Sequence, residues 1–453
     1  MSGSGRRHTE GESNTSQARS EWADKNQGDK SGSLLQRDAD AFMHQSLSSP
    51  CVGTIAKAEG IWIEDLDGRR YMDFHGNSVH HIGYGHPRLI AAIKKQLDEL
   101  SFSPRRFTND TSVELAERLG RLAPDDLNRV LFTTGGSDAI EVALRIARAS
   151  TGRFKTLSFW DAFHGAGFGA SSVGGEATFR SDIAGPLLPG SEHVAPFSCY
   201  RCPYGHTGPD VCGLACANMV DYVLEREGDV AAVVAEPMRA VPQVPPAGYW
   251  KAVREACNRH GTLLIFDEIP TGLGKTGRFF SFEHDEVEPD IVVMGKSLGG
   301  GILPIAAVVA RERLNVCADF AIGHYTHEKN PVTGRAALTT LDIIEDEDLV
   351  ARAANLGNAA LARLQEFART SSIAGDVRGR GFMFGVEIVS DKEGRTPAPE
   401  LAEQIYYRCL DAGLSFKISQ GCVLTLSPPM TISQEDLDNA LSIVESAILA
   451  VQP

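Results

Sequence analysis

The sequence predicts an α/β protein: a large domain built on a sheet covered by helices on both faces, then a smaller α+β domain. Two observations carry that expectation. From Arg129 onward, short apolar runs recur roughly 25–35 residues apart with amphipathic helical segments between them, which is the pattern of βαβ units. After about residue 335 the pattern changes to long helical stretches flanking short strands.

The elements follow in order. "GIWIEDLDGRRYMDF" (60–74) alternates like a hairpin, with Asp67-Gly68 at its turn. "HPRLIAAIKKQLDEL" (86–100) has helical periodicity with proline in the first turn, and residues 112–122 form another helix. Then strands and helices alternate. The strands are "RVLFTT", "KTLSFW", "VAAVVAEP", "TLLIFDE", "DIVVMG" and "IAAVVA". The helices between them are "SDAIEVALRIARAS", "CANMVDYVLEREG" and "YWKAVREACNRHG". Helices over 333–368 and 398–412 flank strands at "GFMFGVEIV" and "CVLTLS". The expected organisation is an arm over 1–35, a segment over 36–80 packing with the small domain, a large domain over 81–325 and a small domain over 326–453.

Composition narrows the function classes. A chain of 453 residues has room for two or three full cores. Its net charge of −15 removes any general attraction for nucleic acid or anionic membranes, leaving room for a local basic pocket. No apolar run reaches the length of a bilayer span. The first 33 residues are rich in Ser, Gly and charge and lack an apolar signal-peptide core, so a disordered or loosely attached arm and a cytoplasmic protein are expected. Four of the nine cysteines cluster as Cys199-x2-Cys202-x9-Cys212-x3-Cys216. That cluster reads either as a small zinc site or as a loop with buried free thiols. No metal is assigned.

The polar residues at strand ends carry the chemistry, because ligands of such sheets sit beyond the carboxyl ends of the strands. "RVLFTT" ends in Gly135-Gly136-Ser137 and opens a helix, a ready anion cradle. Glu236 follows "VAAVVA", Asp267-Glu268 ends "TLLIF", and Lys296 lies just past "DIVVMG" before a Gly-rich bend. Each alone also reads as a turn, a cap or a surface residue. Together they are what pyridoxal phosphate requires: a phosphate cradle, an acid for the pyridine nitrogen and a lysine for the Schiff base. "TGLGKTGRFF" spells G-x-G-x-x-G at Gly272, Gly274 and Gly277, but no helix opens after these glycines. A P-loop would need glycine where Ile269 stands. The glycines are expected to turn the backbone rather than to hold a nucleotide.

"IFDEIPTGLGKTGRFFSFEHDEVEPDIVVMGKSLGGG" resembles the signature of the class III pyridoxal-phosphate aminotransferases. "GYGHP", "GGSDAIEVALRIAR", "FHG", "AEP", "THEKNP", "VRGRGFMFGVEI" and "LSPPMTIS" extend the resemblance over about residues 50 to 450. It implies the type I fold, with a mixed, mostly parallel seven-stranded sheet, and a homodimer with shared active sites. It implies that Lys296 carries the cofactor and Asp267 partners its pyridinium. It further implies that Gly136 and Ser137 bind phosphate, Phe163 stacks on the ring, Thr326 reaches the other subunit's phosphate and Glu236 lines the site.

Departures from the family pattern bear on substrate. Pro270 replaces a glutamine, Thr425 stands where an arginine often binds a carboxylate, and Glu328-Lys329 replace a pair of glycines. Arg105-Arg106 and Lys417 are new cationic candidates for an anionic substrate, since guanidinium matches phosphonate bidentately. Within the class, "SPRRFTN", "DEIPTGLGKTG", "HYTHEKNP" and "LSFKISQG" look closest to ammonia-lyases acting on a small β-hydroxy aminophosphonate. The rivals are an ω-aminotransferase for a small amine or aminophosphonate and a silent cofactor-binding regulatory protein.

Overall fold

The computed structural model describes residues 16–45, 51–180 and 185–452. They divide into two units, one drawn from Met1–His86 and Arg352–Pro453, the other from Pro87–Ala351. The first unit begins with helices α1 (Gln17–Asn26) and α2 (Asp29–Ala41). Strands β1 (Lys57–Glu59), β2 (Trp62–Glu64) and β3 (Arg70–Asp73) follow. The turn between β2 and β3 is the expected one: Gly68 has φ +86°, and the Asp65 carboxylate accepts from the Asp67 and Arg69 N–H groups at 2.9 Å each.

The second unit opens with α3 (Pro87–Glu99) and α4 (Asp110–Leu122). Strand β4 (Leu127–Thr133) leads into α5 (Gly136–Thr151), β5 (Lys155–Phe159), α6 (Phe168–Val173) and β6 (Ser191–Val194). Then come α7 (Ala215–Glu227), β7 (Val230–Ala235), α8 (Tyr249–His260) and β8 (Leu263–Asp267). β9 (Ile291–Met294), β10 (Ala306–Arg311) and α9 (Pro331–Asp346) complete it. The seven strands form one sheet in the order β4-β10-β9-β8-β7-β5-β6. Only β10 runs antiparallel to its neighbours, so β4, β5, β6, β7, β8 and β9 all end at the same edge. β7, β8 and β9 are buried along their whole length, which explains their unbroken apolar sequence. α5 lies on one face and buries Ile140, Val142, Leu144 and Ile146 in a core shared with Val234, Ile265, Val293 and Val308.

The remainder of the first unit includes α10 (Leu349–Thr370), β11 (Ala374–Arg380), β12 (Met383–Asp391), β13 (Thr396–Pro397) and α11 (Pro399–Asp411). β14 (Leu414–Ser415), β15 (Lys417–Ser419), β16 (Val423–Leu426) and α12 (Gln434–Leu449) end it. β14 pairs in parallel with β3, so the N-terminal hairpin shares a four-stranded sheet with the C-terminal segment.

Three features differ from the sequence expectation. Residues 17–26 and 29–41 of the region read as a loose arm and its continuation are helical. Trp22 on α1 is buried at 8% exposure, its ring centroid 6.0 Å from that of Tyr407 on α11, while Lys25 and Asn26 both bond Asp411 at 2.9 Å. Residues 1–15 of that arm lie outside the described residues. The single helix expected over 333–368 breaks in the acidic run before α10, where Asp348 takes φ +49°. The boundary expected near 325 lies further on, since α9 packs against α3 and α4 and buries residues around most of its circumference. Trp22→Ala should cost about 3 kcal/mol, typical of truncating a buried aromatic. A lower urea midpoint is the expected result, and an unchanged one would mean that α1 does not dock.

Candidate active site

The common edge of β5, β7, β8 and β9 gathers motifs that are far apart in sequence. Asp267 ends β8 and is 2% exposed. Its Oδ1 accepts from the Ile269 N–H at 3.0 Å and its Oδ2 from His164 Nδ1 at 2.8 Å. His164 is 1% exposed and follows Phe163, so the turn after β5 aims an imidazole at the acid. Two hydrogen bonds on opposite oxygens fix the plane of the Asp267 carboxyl. His164 was visible in the sequence only as the middle of "FHG". Its role needs the pairing of β5, β7 and β8 to become apparent.

Ile269 closes the contact. A Cβ on Gly136 would fall 2.7 Å from Ile269 Cδ1, and one on Gly295 would fall 3.4 Å from Ile269 Cγ2. Ile269 therefore touches the start of α5 and the bend after β9 together. The α5 N-terminus presents first-turn N–H groups with no side-chain cap on Gly135. Ser137 Oγ accepts from the Ala166 N–H at 3.1 Å, which leaves its own hydroxyl proton to donate elsewhere. A Cβ on Gly165, which has φ +126°, would fall 2.3 Å from Ser137 Oγ, so only glycine fits there. Lys296 takes φ +45° directly after β9, a backbone state that L-residues rarely adopt. The exposed Phe163 ring meets Phe179 at a tilt of 47°, with centroids 4.6 Å apart. Glu236, at the end of β7, is 7% exposed and accepts from the Ala240 N–H at 2.9 Å. Burial pushes the Glu236 carboxyl up; Arg239 and His164 pull it back, and Asp267 adds to the rise.

Glu268 and the glycine loop form a separate, structural device. Glu268 is 1% exposed; its carboxylate accepts from Thr271 Oγ1 at 2.7 Å and from the Phe282 N–H at 2.9 Å. Its carbonyl accepts from the Gly272 N–H at 2.9 Å. Gly274 and Gly277 take φ +91° and +85°, and a short 3-10 turn over Ser281–Asp285 follows. The G-x-G-x-x-G run is a folded loop tied to its strand end.

Other candidates lie elsewhere. Arg105 donates to His324 at 2.5 Å and Arg106 is exposed; neither contacts Asp267, His164 or Glu236. Thr326 is exposed on the loop before α9. Lys417 begins β15 in the other unit, and Thr425 on β16 donates to Ser419 Oγ at 2.8 Å. The four clustered cysteines line one small cavity, with the Cys216 thiol pushed up to about 11 by burial. Among the described residues no group of three or more His, Cys, Asp or Glu side chains is placed to hold a metal, and no helix is long and apolar enough to cross a membrane.

The model of the class III aminotransferase family matches residues 44–448. The chain belongs to the class III aminotransferases. The (R)-1-hydroxy-2-aminoethylphosphonate ammonia-lyase of Vibrio splendidus is 44% identical over 98% of this chain and 95% of that protein. The leucine/methionine racemase of Thermococcus litoralis is 37% identical over 89% and 92%. An amine transaminase from an uncultivated Pseudomonas species, solved in its pyridoxal-phosphate-bound form, superposes with a TM-score of 0.84 at 33% identity. That superposition covers 90% of this chain and 98% of the transaminase. The protein is therefore a pyridoxal-phosphate-dependent enzyme of fold type I. The side chains fit that cofactor: an uncapped helix N-terminus with a free hydroxyl proton for a phosphate, glycines where a Cβ would intrude, and a buried, oriented carboxylate.

Burial holds the Glu268 carboxyl at about 8 in the folded protein, above its ordinary 4.5. Its stabilising contribution is fully present below about 4.5 and is lost as pH rises through about 8. Glu268→Gln copies the neutral acid. Melting temperatures across that window should show the wild type losing stability relative to the variant as pH rises. Parallel curves would mean that Glu268 titrates normally.

Proposed function

We propose that the enzyme is an ammonia-lyase for a small β-hydroxy aminophosphonate, converting (R)-1-hydroxy-2-aminoethylphosphonate to phosphonoacetaldehyde and ammonia. The observation that carries the reading is the 44% identity to the Vibrio splendidus lyase over 98% of the chain. The absence of a cation at Thr425, where relatives often bind a carboxylate, supports it: the Thr425 hydroxyl is buried and spent on Ser419.

Pyridoxal phosphate, when bound, draws electrons from the amine-bearing carbon of the substrate and so makes its C–H bond acidic. The chain's own groups then have defined tasks. The α5 N-terminus and the Ser137 hydroxyl bind the phosphate dianion through N–H and O–H donors. Asp267, fixed in its plane by His164 and Ile269, would hold a proton on the ring nitrogen of the cofactor. Phe163 would shield the cofactor ring from water. Lys296 would hold the cofactor and, when free, would take the proton from the amine-bearing carbon. The electrons of that C–H bond expel hydroxide from the neighbouring carbon, which leaves with a proton as water. A water taken up in hydrolysis of the resulting enamine then releases the aldehyde and ammonia, so the net reaction consumes none.

Incubation with the aminophosphonate and no keto acid should release ammonia and phosphonoacetaldehyde in equal amounts. Ammonia equivalents appearing only as alanine or glutamate in the presence of a keto acid would make the enzyme an ω-aminotransferase instead. Borohydride should fix the cofactor to Lys296, and Lys296→Ala should lose turnover; a label on another lysine would overturn that role. Asp267→Asn should fold and slow turnover by at least about a hundredfold, as loss of one strong electrostatic contact costs about 3 kcal/mol or more. Near-normal rates would assign the ring nitrogen to another residue.

A further inference from the structure

Arg239 is an unexpected cation beside the catalytic edge. It lies three residues past Glu236 and is 3% exposed. A two-way backbone bridge to Gln243, at 3.0 and 3.1 Å, pins its main chain. Nη1 donates to Gln243 Oε1 at 3.2 Å, Nη2 donates to the Asp161 carbonyl, and Nε is buried with no partner. Asp161 precedes Phe163 by two residues and His164 by three, so the guanidinium is tied to the same turn that builds the site.

Among the described residues Arg239 is the arginine in the buried class, and two part-buried arginines are matched by acids. Arg254 meets Asp290 at 2.7 Å, and Arg378 meets Asp376 and Glu387 at 2.7 Å each. Arg239, more buried than Arg254, forms no ion pair with a carboxylate among the described residues. Its charge reaches Glu236 but does not bond it. A guanidinium buried with only neutral hydrogen-bond acceptors costs solvation, which attraction to Glu236 offsets in part while Nε–H stays unbonded. It is a fork of donors prepared for a planar or tetrahedral oxyanion.

We propose that the Arg239 guanidinium receives the phosphonate of the substrate, a role that rests on the lyase reading for the identity of that group. Arg105, already bonded to His324, and the exposed Arg106 then have no part in holding it. The receptor lies in the loop after β7, and the proposed proton-transfer lysine follows β9.

The test uses the holoenzyme and three probes: the aminophosphonate, methylphosphonate, and 1-amino-2-propanol, which keeps the β-hydroxy amine but has a methyl group in place of the phosphonate. Methylphosphonate should bind the wild type by calorimetry and compete with the aminophosphonate. Arg239→Met should lose methylphosphonate binding and raise KM for the aminophosphonate about 10- to 100-fold, as expected for a charged hydrogen bond, with a smaller change in kcat. Its behaviour toward 1-amino-2-propanol should hold or improve, and its visible cofactor absorbance should match the wild type. Arg239→Lys keeps the charge without the fork and should fall between the two, which decides the matter even if the methionine variant does not fold. Equal KM values and equal methylphosphonate binding in wild type and variants would overturn the receptor while leaving the lyase reading intact. A KM increase confined to Arg105→Ala and Arg106→Ala would also overturn it, moving the phosphonate to that pair. Loss of methylphosphonate binding in Arg239→Met, in an enzyme that forms no ammonia, would keep the receptor and remove the lyase reading.

Discussion

A carboxylate at 2% exposure, placed where six strands end together, is the constraint around which the large unit is arranged. Removing Asp267 from water costs several kcal/mol unless its oxygens find donors. The sheet supplies them from two directions. The turn after β5 brings His164 to one oxygen, and the backbone of the turn after β8 brings Ile269 N–H to the other. That second turn also inserts the Ile269 side chain between Gly136 and Gly295. A single three-residue stretch, Asp267-Glu268-Ile269, thus orients the acid, ties down the glycine loop and spaces the helix start from the lysine bend.

This arrangement explains why some residues were legible in sequence and others were not. Buried parallel strands must be apolar throughout, so "VAAVVA", "TLLIF" and "DIVVM" marked the sheet, and polar residues directly after them marked its functional edge. Asp267 and Lys296 stood out as candidates because strand ends are local events. His164 and Arg239 were not, because their meaning lies in contacts 103 and 78 residues away along the chain. The helix start at α1 was hidden for a different reason. Its sequence, "QARSEWADKN", has almost no apolar face, and its order comes from one docked tryptophan and two polar bonds to Asp411. The break between α9 and α10 was also missed, because periodicity continues across the acidic residues where Asp348 takes a positive φ.

The glycine loop shows how a motif can mislead when its neighbours are ignored. Gly274 and Gly277 are needed for positive φ, and Gly272 because a Cβ there would fall 2.9 Å from the Glu268 carbonyl. None opens a helix, so no dipole or row of N–H groups faces a phosphate. The phosphate-type geometry in this unit is at Gly136 and Ser137, after β4, where the helix does begin. Spacing alone could not separate the two loops; the element that follows each of them does.

Relatives named as an ammonia-lyase, a racemase and transaminases share one fold with this chain. Proton removal beside an amine is a step all these reactions can begin with, so the acid and lysine at the sheet edge do not by themselves choose among them. The choice must come from groups that hold the non-reacting end of the substrate and set which bond lies parallel to the electron-accepting orbital. In this chain Thr425 in place of an arginine and Pro270 in place of a glutamine depart from the family pattern, and Arg239 is buried with no ion pair to a carboxylate among the described residues. With the proposed receptor at Arg239, an anionic substrate would be anchored from the loop after β7 rather than from the strand that carries Thr425. Such an anchor would be separate from Asp267, His164 and Ile269, so it could set the outcome of the reaction without altering the contacts that fix the Asp267 carboxyl.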